Sequence, residues 1–344
     1  MLDLTGTRIV RTDAEIECDV IDAWFRDRGA QLTLLAGNID EASLCEAVSD
    51  ASLILMCYTA ITSNVIEAAD KLQGIVKYGV GIDAIDIKAA TERNIPVVNV
   101  PAYAEQTVAE GAFCLMLALQ KKLLPIHQTM QQEGWIEPTR QWMANDVHGK
   151  CVAIVGAGRI GLAFARMAAQ GFGARVIAYD PFVDAGTLHA LNIEKVFDLH
   201  ALLSQADIVS LHTVLNDATK TIIGPDEFTA MQRNPILINV SRGALIDETA
   251  LLHALDTGQI KAAGLDVFTE EPLNCSDHSL AKLFHRENVI VTPHLTFFTE
   301  EAMQRLSIDT LARSEEILTG QTVTVHSTDP RLLAQQGSVN VNVK

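Results

Sequence analysis

Positive charge is scarce in this sequence. Twenty-six Lys and Arg residues face 43 Asp and Glu, a formal net charge of −17 over 344 residues. A surface of that sign repels phosphate backbones and anionic lipid, which argues against nucleic acid or a membrane as partner. Patterned cysteine is missing too. Six cysteines, at positions 18, 45, 57, 114, 151 and 275, form no Cys-x-x-Cys pair and keep no regular spacing, so neither a disulfide framework nor a zinc knuckle is expected, and no metal site. Cys57, Cys114 and Cys151 lie within apolar runs, and all six are expected to act as small structural fillers. No apolar run is long enough to span a bilayer. The longest, around residues 111–119, ends at Lys121 and Lys122 and reads as a buried helix. The first residues lack the basic region, apolar run and small-residue cleavage site of a secretory leader, so residence in the cytoplasm is expected. There is also no low-complexity block or fixed-period repeat.

What is present suits a folded enzyme-sized chain. The composition is 48% hydrophobic and 20% charged, ordinary for a globular protein, and the length favours two domains with a cleft between them. Short β-rich runs at 8–12, 31–35, 52–58, 74–78 and 96–100 alternate with helical patterns at 14–28, 63–71 and 86–93. Strand-helix alternation predicts a parallel, doubly wound α/β sheet. A second series starts at Cys151 and continues through 175–179, 207–211, 236–240, 261–265 and 289–292. Between the two series an apolar helix over 104–122 suits the interior of a domain junction, and a polar stretch follows it. A last helix over 300–319 is expected to pack back on the first domain, so that two crossings act as a hinge. Residues from 327 onward are polar, rich in Gln and Asn, and receive no function.

The second series opens with a nucleotide signature. The run Cys151-Val152-Ala153-Ile154-Val155 leads into Gly156-Ala157-Gly158-Arg159-Ile160-Gly161 and then a helical pattern. Gly156 permits the tight turn, Gly158 lets the backbone approach a pyrophosphate, and Gly161 lets helix and strand pack closely. The helix N-terminus adds free N–H groups and a positive dipole end. The next strand ends at Asp180, 19 positions after Gly161. An acid there accepts hydrogen bonds from adenosine ribose hydroxyls and repels a 2′-phosphate, which favours NAD over NADP.

Three later segments place reactive side chains just after predicted strands, at the edge where open parallel sheets bind ligands. They are Asn239-Val240-Ser241-Arg242-Gly243, Gly264-Leu265-Asp266-Val267-Phe268-Thr269-Glu270-Glu271-Pro272 and Val291-Thr292-Pro293-His294. Alone, Arg242 reads as an ion-pair partner, Glu271 as a solvated loop acid, and His294 as a loop histidine. Their joint appearance at strand ends points to one chemical site.

With Gly79-Val80-Gly81-Ile82-Asp83 and Val108-Ala109-Glu110, this ordered set resembles the D-isomer-specific 2-hydroxyacid dehydrogenases from about residue 78 to residue 302. Phosphoglycerate, D-lactate and hydroxypyruvate enzymes belong to that family. The resemblance implies a Rossmann NAD-binding domain, 104–297, inserted in a discontinuous flavodoxin-like substrate domain, 1–103 with 298–335, leaving 336–344 as a polar tail. It implies NAD-dependent hydride transfer between a D-2-hydroxy acid and its 2-oxo acid. Arg242 would bind the substrate carboxylate and carbonyl, Glu271 would partner the histidine, and His294 would be the acid-base. Val80, Gly81 and Tyr103 are implied substrate contacts. Thr107, Arg159, Ile160, His212, Val240, Ser241 and Asp266 join the glycines, Asp180, Arg242 and His294 as cofactor contacts. A homodimer through the cofactor domain is also implied. Where many relatives have Ile-Gly-Gly after the histidine, this chain has Leu295-Thr296-Phe297-Phe298. With Tyr103, that looks more like the D-lactate branch and an apolar side-chain pocket. Val214 replaces a proline usual after the His212 strand. The length argues against a long-form, feedback-regulated phosphoglycerate dehydrogenase. The alternative from another class is a non-catalytic NAD(H)-sensing scaffold resembling the C-terminal-binding protein corepressors.

Overall fold

Parallel strands covered on both faces read as unbroken apolar runs. Leu53–Met56 and Cys151–Val155 are such runs, buried at every position. The computed structural model describes residues 2–273, 276 and 278–343. The two strands belong to separate units, Met1–Ala104 with Thr299–Lys344, and Glu105–Phe298.

In the first unit β1 (Arg8–Arg11), β2 (Gln31–Leu34), β3 (Leu53–Met56), β4 (Gly74–Lys77) and β5 (Val97–Asn99) alternate with α1 (Asp19–Arg26), α2 (Glu41–Val48), α3 (Ser63–Ala68) and α4 (Ile87–Glu92). Among the described residues the five strands are all parallel, in the order β2-β1-β3-β4-β5, the flavodoxin-like arrangement. Helix α1 starts at Asp19, not at residue 14. Asp13, at φ 56°, turns its carboxylate to the N–H groups of Cys57 at 2.8 Å and Thr59 at 3.1 Å, which ties this segment to the end of β3 as a loop.

The second unit opens with α5 (Glu105–Gln120) and α6 (Leu123–Glu133), so the stretch expected to be merely polar contains a helix. There follow β6 (Cys151–Val155), α7 (Arg159–Arg166), β7 (Arg175–Tyr179), α8 (Ala185–Ala190), β8 (Glu194–Lys195), α9 (Leu199–Leu203), β9 (Ile208–Leu211), α10 (Pro225–Ala230), β10 (Ile236–Asn239), α11 (Glu248–Thr257), β11 (Ala262–Leu265) and β12 (Val289–Val291). The sheet order β12-β11-β10-β9-β6-β7-β8 is the Rossmann order with one strand added at the edge. Each face has its own core. Val152 and Ile154 pack with Phe113, Met116 and Phe164 on one side, and Ala153 and Val155 with Leu202, Phe228 and Leu251 on the other. The apolar stripe of α5 is thus consumed by its own sheet.

The chain then returns to the first unit. α12 (Glu300–Leu318) packs on α1 and β4, and β13 (Val323–Val325), α13 (Pro330–Leu333) and β14 (Val341–Val343) complete it. The tail is therefore structured. β14 pairs with β13, and buried Gln335 bonds both the N–H and the carbonyl of Val97 at 2.9 Å, acting as an edge strand for β5. Its polar composition hid this. Cys18, Cys57 and Cys151 are buried and Cys45 is half-buried, but Cys114 is exposed on α5, contrary to the expectation of filler, because it falls off the helix's apolar stripe. Cys275 lies outside the described residues. Among the described residues no helix is long and apolar enough to cross a membrane, and no group of three or more His, Cys, Asp or Glu could hold a metal ion.

Candidate functional site

Strand register aligns the key positions of the second unit. Tyr179 pairs with Val155, Val155 with Leu211, Leu211 with Asn239, Asn239 with Leu265, and Leu265 with Val291. These residues form one row across six strands. The next row, at the carboxyl edge, is therefore Asp180, Gly156, His212, Val240, Asp266 and Thr292, and Arg242, Glu271 and His294 follow within a few residues.

At the glycine loop, a Cβ on Gly161 would stand 2.2 Å from the Gly156 carbonyl oxygen, so α7 could not seat against β6 with a larger residue there. Nothing lies within 4 Å of a Cβ built on Gly158, which leaves its backbone open to a ligand at the start of α7. Asp180 is held by the loop. Its Oδ2 accepts from Ala157 N at 2.8 Å, and Oδ1 accepts from Phe182 N at 2.8 Å and Val183 N at 3.2 Å. A carboxylate has about four acceptor positions, so capacity for a hydroxyl remains. His212 Nε2 meets Ser210 Oγ at 2.8 Å, while Nδ1 is buried without a partner. Burial holds this histidine's pKa down to about 3. The open glycine backbone and the orphaned ring nitrogen beside it fit a dinucleotide, since buried polar atoms are rarely left unsatisfied.

The three reactive side chains sit on loops that their own neighbours clamp. Buried Asn239 accepts from Ser241 N at 3.1 Å and donates to the Arg242 carbonyl at 2.9 Å, fixing the turn that carries the guanidinium. Arg242 Nη1 also donates to the Ser241 carbonyl at 2.7 Å. Glu271 accepts from Phe268 N at 2.8 Å through Oε1 and meets His294 Nδ1 at 2.7 Å through Oε2. Burial alone would raise the Glu271 carboxyl. The His294 hydrogen bond and charge, the Phe268 N–H and the Arg242 charge outweigh it and hold the group below its ordinary value. His294 lies at φ 56°, a left-handed conformation that costs a residue other than glycine about 1–3 kcal/mol. Asp266 offsets this. Fully buried, it accepts from Leu295 N and Thr296 N at 3.0 Å, from Thr296 Oγ1 at 2.6 Å and from Thr292 Oγ1. The expected cofactor contact Asp266 is thus placed as the clamp of the histidine loop.

The other expected contacts are dispersed in kind. Ser241 Oγ donates to the Thr213 carbonyl at 2.6 Å, Val240 and Thr107 are buried, and Ile160 packs into the core under α7. Arg159 pairs with Glu105 at 3.0 Å. Phe297 is buried with its ring edge-on to His294, 6.4 Å between centroids, whereas Phe298 is exposed. In the first unit Tyr103 is buried, and its carbonyl accepts from Arg305 Nε at 2.7 Å. Val80 is exposed, and its N–H and that of Gly81 have no partner among the described residues. The Gly79 carbonyl accepts from Val100 N at 3.0 Å, and the Val80 carbonyl from Asn99 Nδ2 at 2.6 Å. Across a trans peptide the N–H points opposite to its carbonyl, so both N–H groups point away from β5. The sequence reading missed the clamps Asn239, Thr292, Thr296 and Asn99. Polar residues at the end of buried strands were the available signal.

A family model described as the NAD binding domain of D-isomer specific 2-hydroxyacid dehydrogenases matches residues 113–296, more than half of the chain. The D-3-phosphoglycerate dehydrogenase of Methanocaldococcus jannaschii is 36% identical over 83% of this chain and 53% of that protein. The glyoxylate reductase of Korarchaeum cryptofilum is 38% identical over 77% of this chain and 79% of that protein. The chain spans about half the length of the phosphoglycerate dehydrogenases it matches. Among solved structures, D-lactate dehydrogenase from Aquifex aeolicus, complexed with NAD and lactic acid, superposes with a TM-score of 0.80 at 25% identity, covering 91% of this chain and 96% of that one.

Proposed function

The chain belongs to the D-isomer specific 2-hydroxyacid dehydrogenase family, and on that footing we propose that it interconverts a small D-2-hydroxy acid and its 2-oxo acid with NAD. The observation that carries this reading is the contact of His294 Nδ1 with Glu271 Oε2 at 2.7 Å, on loops next to the Arg242 turn. With Nδ1 committed to a carboxylate, Nε2 is the nitrogen that exchanges a proton with the substrate oxygen, and Glu271 stabilises the charged ring. The Arg242 fork suits a carboxylate and the carbonyl beside it. The outward N–H groups of Val80 and Gly81 suit a carboxylate. NAD, when bound, would supply the hydride acceptor; the Gly158 backbone and the start of α7 would hold it, and Asp180 would take its adenosine ribose.

The test is oxidation of NADH by the purified protein with a panel of 2-oxo acids, including glyoxylate, pyruvate and hydroxypyruvate. Turnover of at least one is expected. Tight NADH binding with no acid turned over would overturn the reading in favour of the scaffold. The Asp180 assignment has its own outcome. Asp180→Ala is expected to lower the NADH-over-NADPH preference about tenfold or more, because a like charge no longer faces the 2′-phosphate. An unchanged ratio of kcat/KM values rejects the ribose role.

We also assign a homodimer to the second unit. Leu123 on α6, Trp135 and Met143 are 57%, 70% and 67% exposed, apolar surface of the kind subunit contacts cover. Light scattering should give twice the chain mass.

A further inference from the structure

Lys77 ends β4 as the register partner of Met56 and Asn99, at the carboxyl edge of the first sheet. It is 5% exposed. Its Nζ donates to the Cys57 carbonyl and lies 3.3 Å from Cys57 Sγ, and the Tyr58 ring covers it at 5.0 Å. The other charged groups at this edge have hydrogen-bond partners of their own, Arg11 and Asp22 as an ion pair and Asp13 with neutral donors. Arg11 holds Asp22 through two hydrogen bonds, at 2.8 and 2.9 Å, and the Asp13 carboxylate is taken up by Cys57 N, Thr59 and Thr12. Among the described residues no ion pair is made by Lys77. A buried ammonium without a counter-ion is costly and marks a place where an anion is expected.

The position of that ammonium says where the anion goes. A Cβ built on Gly79 would meet Lys77 Cε at 3.0 Å and Nζ at 3.1 Å, so the charge is packed against the turn whose next two N–H groups have no partner among the described residues. Gly79 sits at φ +156°, in close contact with the end of the lysine side chain. We propose that Lys77 is a positioning residue that supplies the fixed positive charge behind the Val80–Gly81 amides and selects a substrate carboxylate there. The inference rests on the 2-hydroxyacid reading and names the group that draws an anion to a chain of net charge −17. With two of its three donors on Cys57 and its head covered by Tyr58, Lys77 acts by its field through the turn.

Lys77→Gln removes the charge and retains N–H donors, on a side chain one atom shorter that adds an amide oxygen, so the conservative variant and a neutral inhibitor are needed beside it. In the full-length protein with NADH it is expected to raise KM for pyruvate and glyoxylate about tenfold, with kcat within about threefold and NADH affinity unchanged. Lys77→Arg should stay within about threefold of wild type in KM. Oxamate, a carboxylate, and oxamide, its neutral counterpart, separate charge from packing. Weaker oxamate inhibition with oxamide unchanged supports the proposal. Equal loss of both, or an unchanged KM in Lys77→Gln, overturns it while leaving the dehydrogenase reading intact. A wild type that binds NADH but oxidises it with no 2-oxo acid overturns both.

Discussion

Replacing His294 by alanine is expected to lower kcat about 10²- to 10⁴-fold, the usual worth of a positioned acid-base, and to leave NADH affinity within a few-fold of wild type. The separation follows from the scaffold. Four acceptor contacts from buried Asp266 hold the loop from Thr292 to Thr296 without using the imidazole, so the backbone stays in place when the ring is gone. The glycine loop and Asp180 lie at other strand ends. Stopped-flow single turnover and NADH fluorescence titration measure the two quantities, and a large loss of NADH affinity would contradict the assignment. Glu271→Gln should lose less, since the ring remains but its charged form is no longer favoured. The pH dependence has a definite sign. Glu271 is held below its ordinary value in the fold despite burial, chiefly by the His294 hydrogen bond. A depressed carboxyl contributes stability that is present above its unfolded value and lost as pH falls through the lower folded one. Protonation of Glu271 should therefore abolish activity only at distinctly acid pH. An acid limb near neutrality that disappears in Glu271→Gln would refute this.

The alternation of strands and helices, the glycine loop and the positions of Arg242, Glu271 and His294 just after strands were legible because each depends on local sequence. An apolar run, a turn that only glycine can make, and a reactive side chain after a strand are short-range signals. What stayed hidden depends on partners far away in sequence. Residues 14–18 looked helical, yet the neighbouring Asp13 is committed to Cys57 and Thr59 across the sheet. The tail looked like a solvated end, yet Gln335 completes the edge of β5. Asp266 reads as a ligand contact in any strand-end pattern. Only the fold shows that its oxygens are spent on residues 292–296. Lys77, inside an apolar strand, has no motif at all. Its meaning comes from burial without a counter-charge.

Arg242→Lys is expected to lower kcat/KM about 10²- to 10³-fold, as for loss of a donor aimed at developing charge, because an ammonium cannot reproduce the planar fork. A second variant reaches the same end without touching the guanidinium. A Cβ on Gly243 would stand 1.9 Å from the Phe268 carbonyl carbon and 2.3 Å from both the Phe268 oxygen and Thr269 N. All three atoms are backbone, so no flexible side chain can yield and the turns after β10 and β11 must part. Glu271 is tied to Phe268 N at 2.8 Å and moves with that turn, while Arg242 moves with the other. Gly243→Ala should therefore lower kcat/KM about tenfold or more, and overpacking of this kind should remove about 1–3 kcal/mol of stability. Steady-state kinetics with thermal unfolding tests both. Wild-type kinetics in Gly243→Ala would mean that the spacing of these two loops does not govern catalysis, and wild-type kinetics in Arg242→Lys would remove the guanidinium from the reaction.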